Sequence, residues 1–137
     1  MNLYFGRDPN APNAGLPDIY YAAINRRGKT LVDAVPVVEL NAPNAVDAAP
    51  SLRRDGLEIF FWSNREGNPD LFTSTRESIL DPWSMPIRLD APLSTAANDS
   101  QPKISWDART LLFNSTREPT LGGIDIWTST RTKIGRE

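Results

Sequence analysis

Asp47 and Asp99 stand 52 residues apart, each three residues ahead of a proline (Pro50, Pro102). Two carboxylates on one rim could hold a cation, a basic peptide or a sugar hydroxyl, and a pair of acids is enough equipment to cleave a glycosidic bond. The competing role is structural: a carboxylate caps a turn or accepts a backbone amide of a neighbouring segment. Equivalent positions of a repeat also give similar environments, whereas a catalytic acid and base need pKa values driven apart.

Other chemistry is sparse. The chain has no His and no Cys, which removes imidazole bases, thiolate nucleophiles, disulfides and Cys/His zinc sites. Ser100 and Lys103 spell Ser-x-x-Lys, but Pro102 between them gives no helical turn to carry the lysine over the serine. Asn64, Glu66, Asn68 and Asp70 alternate around Gly67 like a calcium loop. Pro69 stiffens that stretch, and its counterpart offers only Thr116, Glu118 and Thr120, so a solvated hairpin tip is the reading. Asn98-Asp99-Ser100 and Asn114-Ser115-Thr116 are formal glycosylation sequons, the second inside an apolar segment. No metal and no cofactor is expected.

Arg65 with Asp70, and Arg117 with Asp125, recur at the two ends of one loop in successive copies. A charge present in every copy reads as a fastening of the repeat, because one activity rarely needs it each time. Trp62, Trp83, Trp106 and Trp127, with Tyr20 and Tyr21, could stack on sugars, yet most fall in slots that pack between repeats. Trp106 replaces Arg54 in the alignment and is the aromatic expected at the surface.

The elements that position these residues follow from the repeat. Asp47 to Arg65 lies over Asp99 to Arg117 without a gap, and Asp70 to Arg76 (DLFTSTR) matches Asp125 to Arg131 (DIWTSTR) after three extra loop residues. A partial first copy carries Asp18 to Ala22, 52 before Asp70, and Val38 to Asn44, set against Ile87 to Leu93 at 49. Short runs rich in aromatic and β-branched residues, with 12 Pro and 8 Gly, predict an all-β chain. Asp55-Gly56 marks a tight turn with positive φ; Asp107-Ala108 lacks the glycine, so its turn is expected to differ in type or carry strain.

A unit of ~50 residues with four short strands has the size of a β-propeller blade, which must stack on neighbours to bury its faces. Strands are labelled A to D from the channel outward. They are predicted at 48–53, 57–63, 70–75 and 85–90 in the middle copy, with B, C and D at 3–6, 18–24 and 35–40 in the first and A, B and C at 100–105, 109–115 and 124–130 in the last. The chain then reads as one partial propeller of about two and a half blades over 1–137, divided 1–42, 43–91 and 92–137. Asp47 and Asp99 enter strand A, at the channel mouth, and with Trp106 are the candidate binding residues.

The pattern Pro50, Asp55, Gly56, Ile59, Phe61, Ser63, Arg65, Gly67, Asp70, Arg76, Trp83, Pro86 and Leu89, with Gly122-Gly123 before Asp125-Ile126-Trp127, resembles the TolB-like β-propeller repeat. The resemblance implies blades of four-stranded antiparallel sheets and a bacterial periplasmic or secreted setting. It leaves function open among protein-binding platforms, hydrolase domains and other modules. The first copy departs from it in lacking strand A and in an Asn/Pro-rich B–C loop, and Thr132 to Glu137 stand where an outer strand would begin.

A net charge of −2, from 15 basic and 17 acidic residues mixed along the chain, favours neither nucleic acid nor an anionic membrane as partner. The longest apolar run, Ile59 to Trp62, is far below the roughly 20 residues of a membrane span. The expectation is a non-catalytic binding or assembly module contacting its partner at the channel mouth. That partner is another copy in a homodimer closing a ring, or a protein or carbohydrate ligand. The alternatives are a glycoside-acting propeller using Asp47 and Asp99, and a piece of a longer propeller without separate activity.

Overall fold

The computed structural model describes residues 1–8 and 16–132, and within them every regular element is a strand. The Asn/Pro-rich stretch of the first copy lies largely outside the described residues, as does the tail from Lys133. Three antiparallel sheets follow one another. The first joins β1 (Asn2–Arg7), β2 (Asp18–Ala23) and β3 (Val35–Pro36); the second joins β4 (Asp47–Leu52), β5 (Glu58–Ser63), β6 (Asp70–Thr75) and β7 (Ile87–Arg88); the third joins β8 (Asp99–Ile104), β9 (Thr110–Ser115) and β10 (Asp125–Thr130). In each, neighbours in sequence are neighbours in space, giving about two and a half blades, not a closed ring.

The alternation within β5 explains why blades stack. Ile59 and Phe61 point one way and join Phe72 and Trp83 against Ile19, Val37 and Leu40 of the first blade. Phe60 points the other way and, with Leu71, packs on Leu111 and Phe113 of the third, where Trp62, Leu89, Leu93, Ile104 and Trp127 complete the cluster. A two-residue period thus buries both faces of the central sheet, each against a different neighbour.

Both β4 and β8 carry a bulge, between Ala48 and Ser51 and between Ser100 and Lys103. Ala49 (φ 52°) and Gln101 (φ 55°) occupy it in left-handed backbone without being glycine. The Asp55-Gly56 and Asp107-Ala108 turns close through the same bond, Gly56 N to Arg53 O at 2.8 Å and Ala108 N to Ser105 O at 2.9 Å. Ala108 adopts φ 58° where Gly56 has 77°, so the turn type is kept and alanine carries the strain, on the order of 1 kcal/mol.

Two expectations need correction. The outer strands predicted at 35–40 and 85–90 each contract to two residues, because the backbone turns at once: Leu40 N bonds Val37 O, and Leu93 N bonds Asp90 O. The 49-residue match of Val38–Asn44 with Ile87–Leu93 is also out of register. Val35 and Pro36 pair with Tyr21 and Tyr20 as Ile87 and Arg88 pair with Thr73 and Phe72, an offset of 52. Backbone pairing, not side-chain likeness, sets that alignment.

Phe61 and Phe113 fill the same slot on consecutive blades and are buried, whereas Leu112 between Leu111 and Phe113 faces outward. Phe61→Ala and Phe113→Ala should each lower stability by about 3–5 kcal/mol, and Leu112→Ala by less than about 1 kcal/mol. Denaturant titration checks this, and the opposite ranking would mean the strand faces are assigned the wrong way round.

Candidate functional site

Asp47 and Asp99 are brought to equivalent places, but as framework. Both are 0% exposed. One oxygen of Asp47 takes the Arg65 guanidinium at 2.5 Å and the other the Ala42 amide at 2.7 Å. Asp99 repeats this with Arg117 and the Thr95 amide, both at 2.7 Å, and adds the Thr95 hydroxyl at 2.9 Å. Their own amides donate across to the preceding blade, Asp47 N to Pro17 O and Asp99 N to Pro69 O, both at 2.8 Å. The channel-mouth role expected of this pair therefore has no exposed carboxylate behind it, and the capping role is the one occupied.

The arginines are as fully engaged. Arg65 donates from Nε to Ser63 Oγ (3.0 Å) and from Nη2 to Leu40 O (2.5 Å), with its guanidinium carbon 4.9 Å from the centre of Phe72 and 5.4 Å from that of Phe61. Arg117 does the same with Ser115 Oγ (2.8 Å) and Leu93 O (2.7 Å), also reaches Pro92 O, and lies over Phe113 and Trp127. The acids at the far end of each loop, Asp70 and Asp125, are fastened separately from these arginines. Asp70 is held by Arg88 (2.8 and 3.0 Å), and Asp125 accepts the Leu121 amide at 2.7 Å. Arginines join the end of strand B to the start of strand A because antiparallel pairing places those two ends side by side.

The calcium-like loop is spent in similar ways: Asn64 Oδ1 accepts Val46 N at 2.7 Å, and Asn68 Nδ2 donates to Ala97 O of the next blade at 2.7 Å. Ser100 and Lys103 lie on β8 on either side of its bulge, with no helical turn between them. Among the described residues no three acidic side chains converge as a metal site would require.

Trp106 is 74% exposed, as the alignment led us to expect, with the Arg54 guanidinium 4.2 Å above its ring. It shares a shallow surface with Arg53, Asp55 and Asp107 in the two A–B turns. Asp99 opens β8 and Trp106 follows its end, so six residues of strand, roughly 20 Å, separate them. The three candidate residues thus do not share one rim: the acids are at one end of strand A and the tryptophan at the other.

Sequence reasoning missed the clamp between blades 2 and 3, where Arg131 donates to both oxygens of Glu58 (2.9 and 2.6 Å) and to Ala108 O (2.7 Å). Glu58 also receives Arg53 at 3.1 Å. Arg131 matched Arg76 in the repeat, which was the available signal, but Glu58 has Thr110 and Asn2 as its counterparts, so no repetition marked it. At the same interface the indole N–H groups of Trp62 and Trp127 are buried without a partner.

No protein-family model matches the chain, and no curated protein matches it.

Burial pushes the Asp99 carboxyl up, but hydrogen bonds from Ser115, Arg117 and Thr95 outweigh it and hold the pKa below the usual carboxylate value. A depressed folded pKa means the contribution is present above the unfolded value of about 3.9 and is lost as pH falls through the folded one. Asp99→Asn should cost about 3 kcal/mol at pH 7, because Arg117 keeps its charge without its partner. Urea titrations from pH 7 downward should show wild type and variant converging below about pH 4; a gap that stayed constant would exclude this origin.

Proposed function

We propose that the chain is a non-catalytic β-propeller binding and assembly module whose principal partner is a second copy of itself, joined head to tail. The observation that carries the reading is the contrast between equivalent residues at the interior and at the ends. Phe60 and Leu71 on the back of blade 2 are buried by blade 3, while their counterparts on the back of blade 3, Leu112 and Ile126, are exposed, Ile126 at 74%. Ile59 on the front of blade 2 is buried by blade 1, while its counterpart Leu3 is exposed, and Phe5 stacks on Tyr20 (6.3 Å) as Phe61 stacks on Phe72 (5.9 Å).

Each open face therefore has the chemistry of a face that is covered elsewhere in the same molecule. The back of one copy's blade 3 would meet the front of another's blade 1, a heterologous contact that repeats the internal one. Two chains give six blade positions. The resemblance to TolB-like repeats agrees with such a ring. The glycoside-acting alternative finds little support in the proposed catalytic pair, since Asp47 and Asp99 sit in matching arginine clamps. Trp106 with Arg54 remains the exposed candidate for a protein or carbohydrate ligand.

Sedimentation at micromolar concentration should show a species near twice 15.2 kDa. Ile126→Glu should convert it to monomer with little change in unfolding free energy, because that side chain is already in water within one chain. A monomeric wild-type chain would remove the proposal.

A further inference from the structure

Arg76 and Arg131 follow strand C at the same place on blades 2 and 3, and each donates from Nε to a carbonyl of an A–B turn, Gly56 O at 2.8 Å and Ala108 O at 2.7 Å. The other two nitrogens of Arg131 close on the Glu58 carboxylate of the preceding blade at 2.9 and 2.6 Å. On the blade preceding Arg76, the residue in register with Glu58 is Asn2. Arg76 forms no salt bridge with a described residue. Blade 2 thus carries the guanidinium of a bidentate ion pair without its acid, and the reason is a substitution on strand B of blade 1.

Asn2 and Arg76 both line a cavity of about 370 Å³ between blades 1 and 2. Three aromatic rings wall it: Tyr4 lies 5.9 Å from Tyr21 and meets Trp83 edge-on at 6.0 Å. Trp83 also supports the Arg76 guanidinium at 4.2 Å, so that group is held by the indole and by Gly56 O before anything binds. Glu39 and Asp81 line the same cavity with exposed side chains, and neither forms a salt bridge with a described residue. The corresponding space between blades 2 and 3 is lined by Glu58 but by no residue of the Arg53–Leu57 turn before it. The composition of the cavity is therefore set by the blade faces and by the loop from Arg76 to Trp83, not by the turn that leads into strand B.

We infer that this cavity is a binding site for a free basic amino acid of the lysine class. The cavity offers one cationic group and two carboxylates, and such a ligand carries the reverse, one carboxylate and two cations. Its carboxylate takes the place on the Arg76 Nη1 and Nη2 groups that Glu58 takes on those of Arg131, beside the Asn2 amide. Its two cationic groups meet Glu39 and Asp81, and its aliphatic stem lies along Tyr4 and Tyr21. A neutral sugar would leave Arg76 without a counter-charge, and a simple carboxylic acid would meet two like charges. All the groups invoked belong to one chain and lie away from Leu112 and Ile126, so the site does not depend on self-association.

The probe is L-lysine, titrated into the full chain by calorimetry, and saturable binding at one lysine per chain is expected. Lysinamide, which lacks the carboxylate, and norleucine, which lacks the side-chain amine, should each bind roughly tenfold more weakly or worse. Arg76→Gln should erase the preference for lysine over lysinamide. Glu39→Gln with Asp81→Asn, both changes at exposed side chains, should narrow the preference for lysine over norleucine while leaving the melting temperature unchanged. Nα-acetyl-lysine, which copies a basic residue at the C-terminus of a peptide and has one cation fewer, should bind severalfold more weakly than lysine. No saturation at millimolar lysine, or lysinamide binding as well as lysine, overturns the inference. Equal binding of Nα-acetyl-lysine overturns the assignment to a free amino acid, and a norleucine discrimination undiminished in the double variant overturns the role of the two acids.

Discussion

The rest of the structure depends on a buried ion pair that closes each junction between blades. A carboxylate with no exposure is tolerable only when its charge is met and its lone pairs are filled. Asp47 and Asp99 satisfy that with a guanidinium on one oxygen and an amide on the other. The same arginine reaches back to a carbonyl of the segment leaving the previous blade and covers two aromatic rings of its own sheet. The aspartate amide bonds the previous blade's Pro17 or Pro69 carbonyl. One clamp therefore fixes where strand A begins, how the connecting segment turns and how adjacent sheets meet.

That constraint accounts for local strain that the chain tolerates. The start of strand A is held by the clamp and its end by the A–B turn, and an added residue between them is absorbed as a bulge with Ala49 or Gln101 in left-handed backbone. Both copies do this with non-glycine residues, so the register is imposed by contacts on either side and overrides local preference. Polar groups play the same part further out: Asn41 and Ser94 each bond the amide and the carbonyl of one strand-C residue, Ile19 and Leu71. An amide and a hydroxyl are different side chains in the same structural place, so likeness of letters set Asn41 against Asp90 and passed over its counterpart Ser94.

Much of the fold was legible because strand faces repeat with the sequence. Phe61 and Phe113, the 52-residue spacing and the positive φ at Asp55-Gly56 are all local or periodic signals, and β1, β2, β4, β5, β6, β8, β9 and β10 fall within a residue or two of where those signals place them. The outer strands were not, since their length is set by turns whose bonds skip three residues. The candidate site was legible in identity and not in role. Repetition marked Asp47, Asp99, Arg65 and Arg117 as important, but which acid meets which base follows from antiparallel pairing of strands A and B. Trp106 was separable from the other tryptophans because it alone replaced a charged residue, and it alone among them is exposed.

The central claim is that the clamps make the three sheets one cooperative body instead of three tethered hairpins. Native-state hydrogen exchange of the Asp47 and Asp99 amides tests it most directly, since each of these N–H groups bonds across a blade junction. The account predicts that both exchange only through global unfolding, with the same opening free energy as the central amides of β5. Exchange of Asp99 at a markedly lower free energy, with β5 still protected, would show blade 3 detaching by itself and would contradict it.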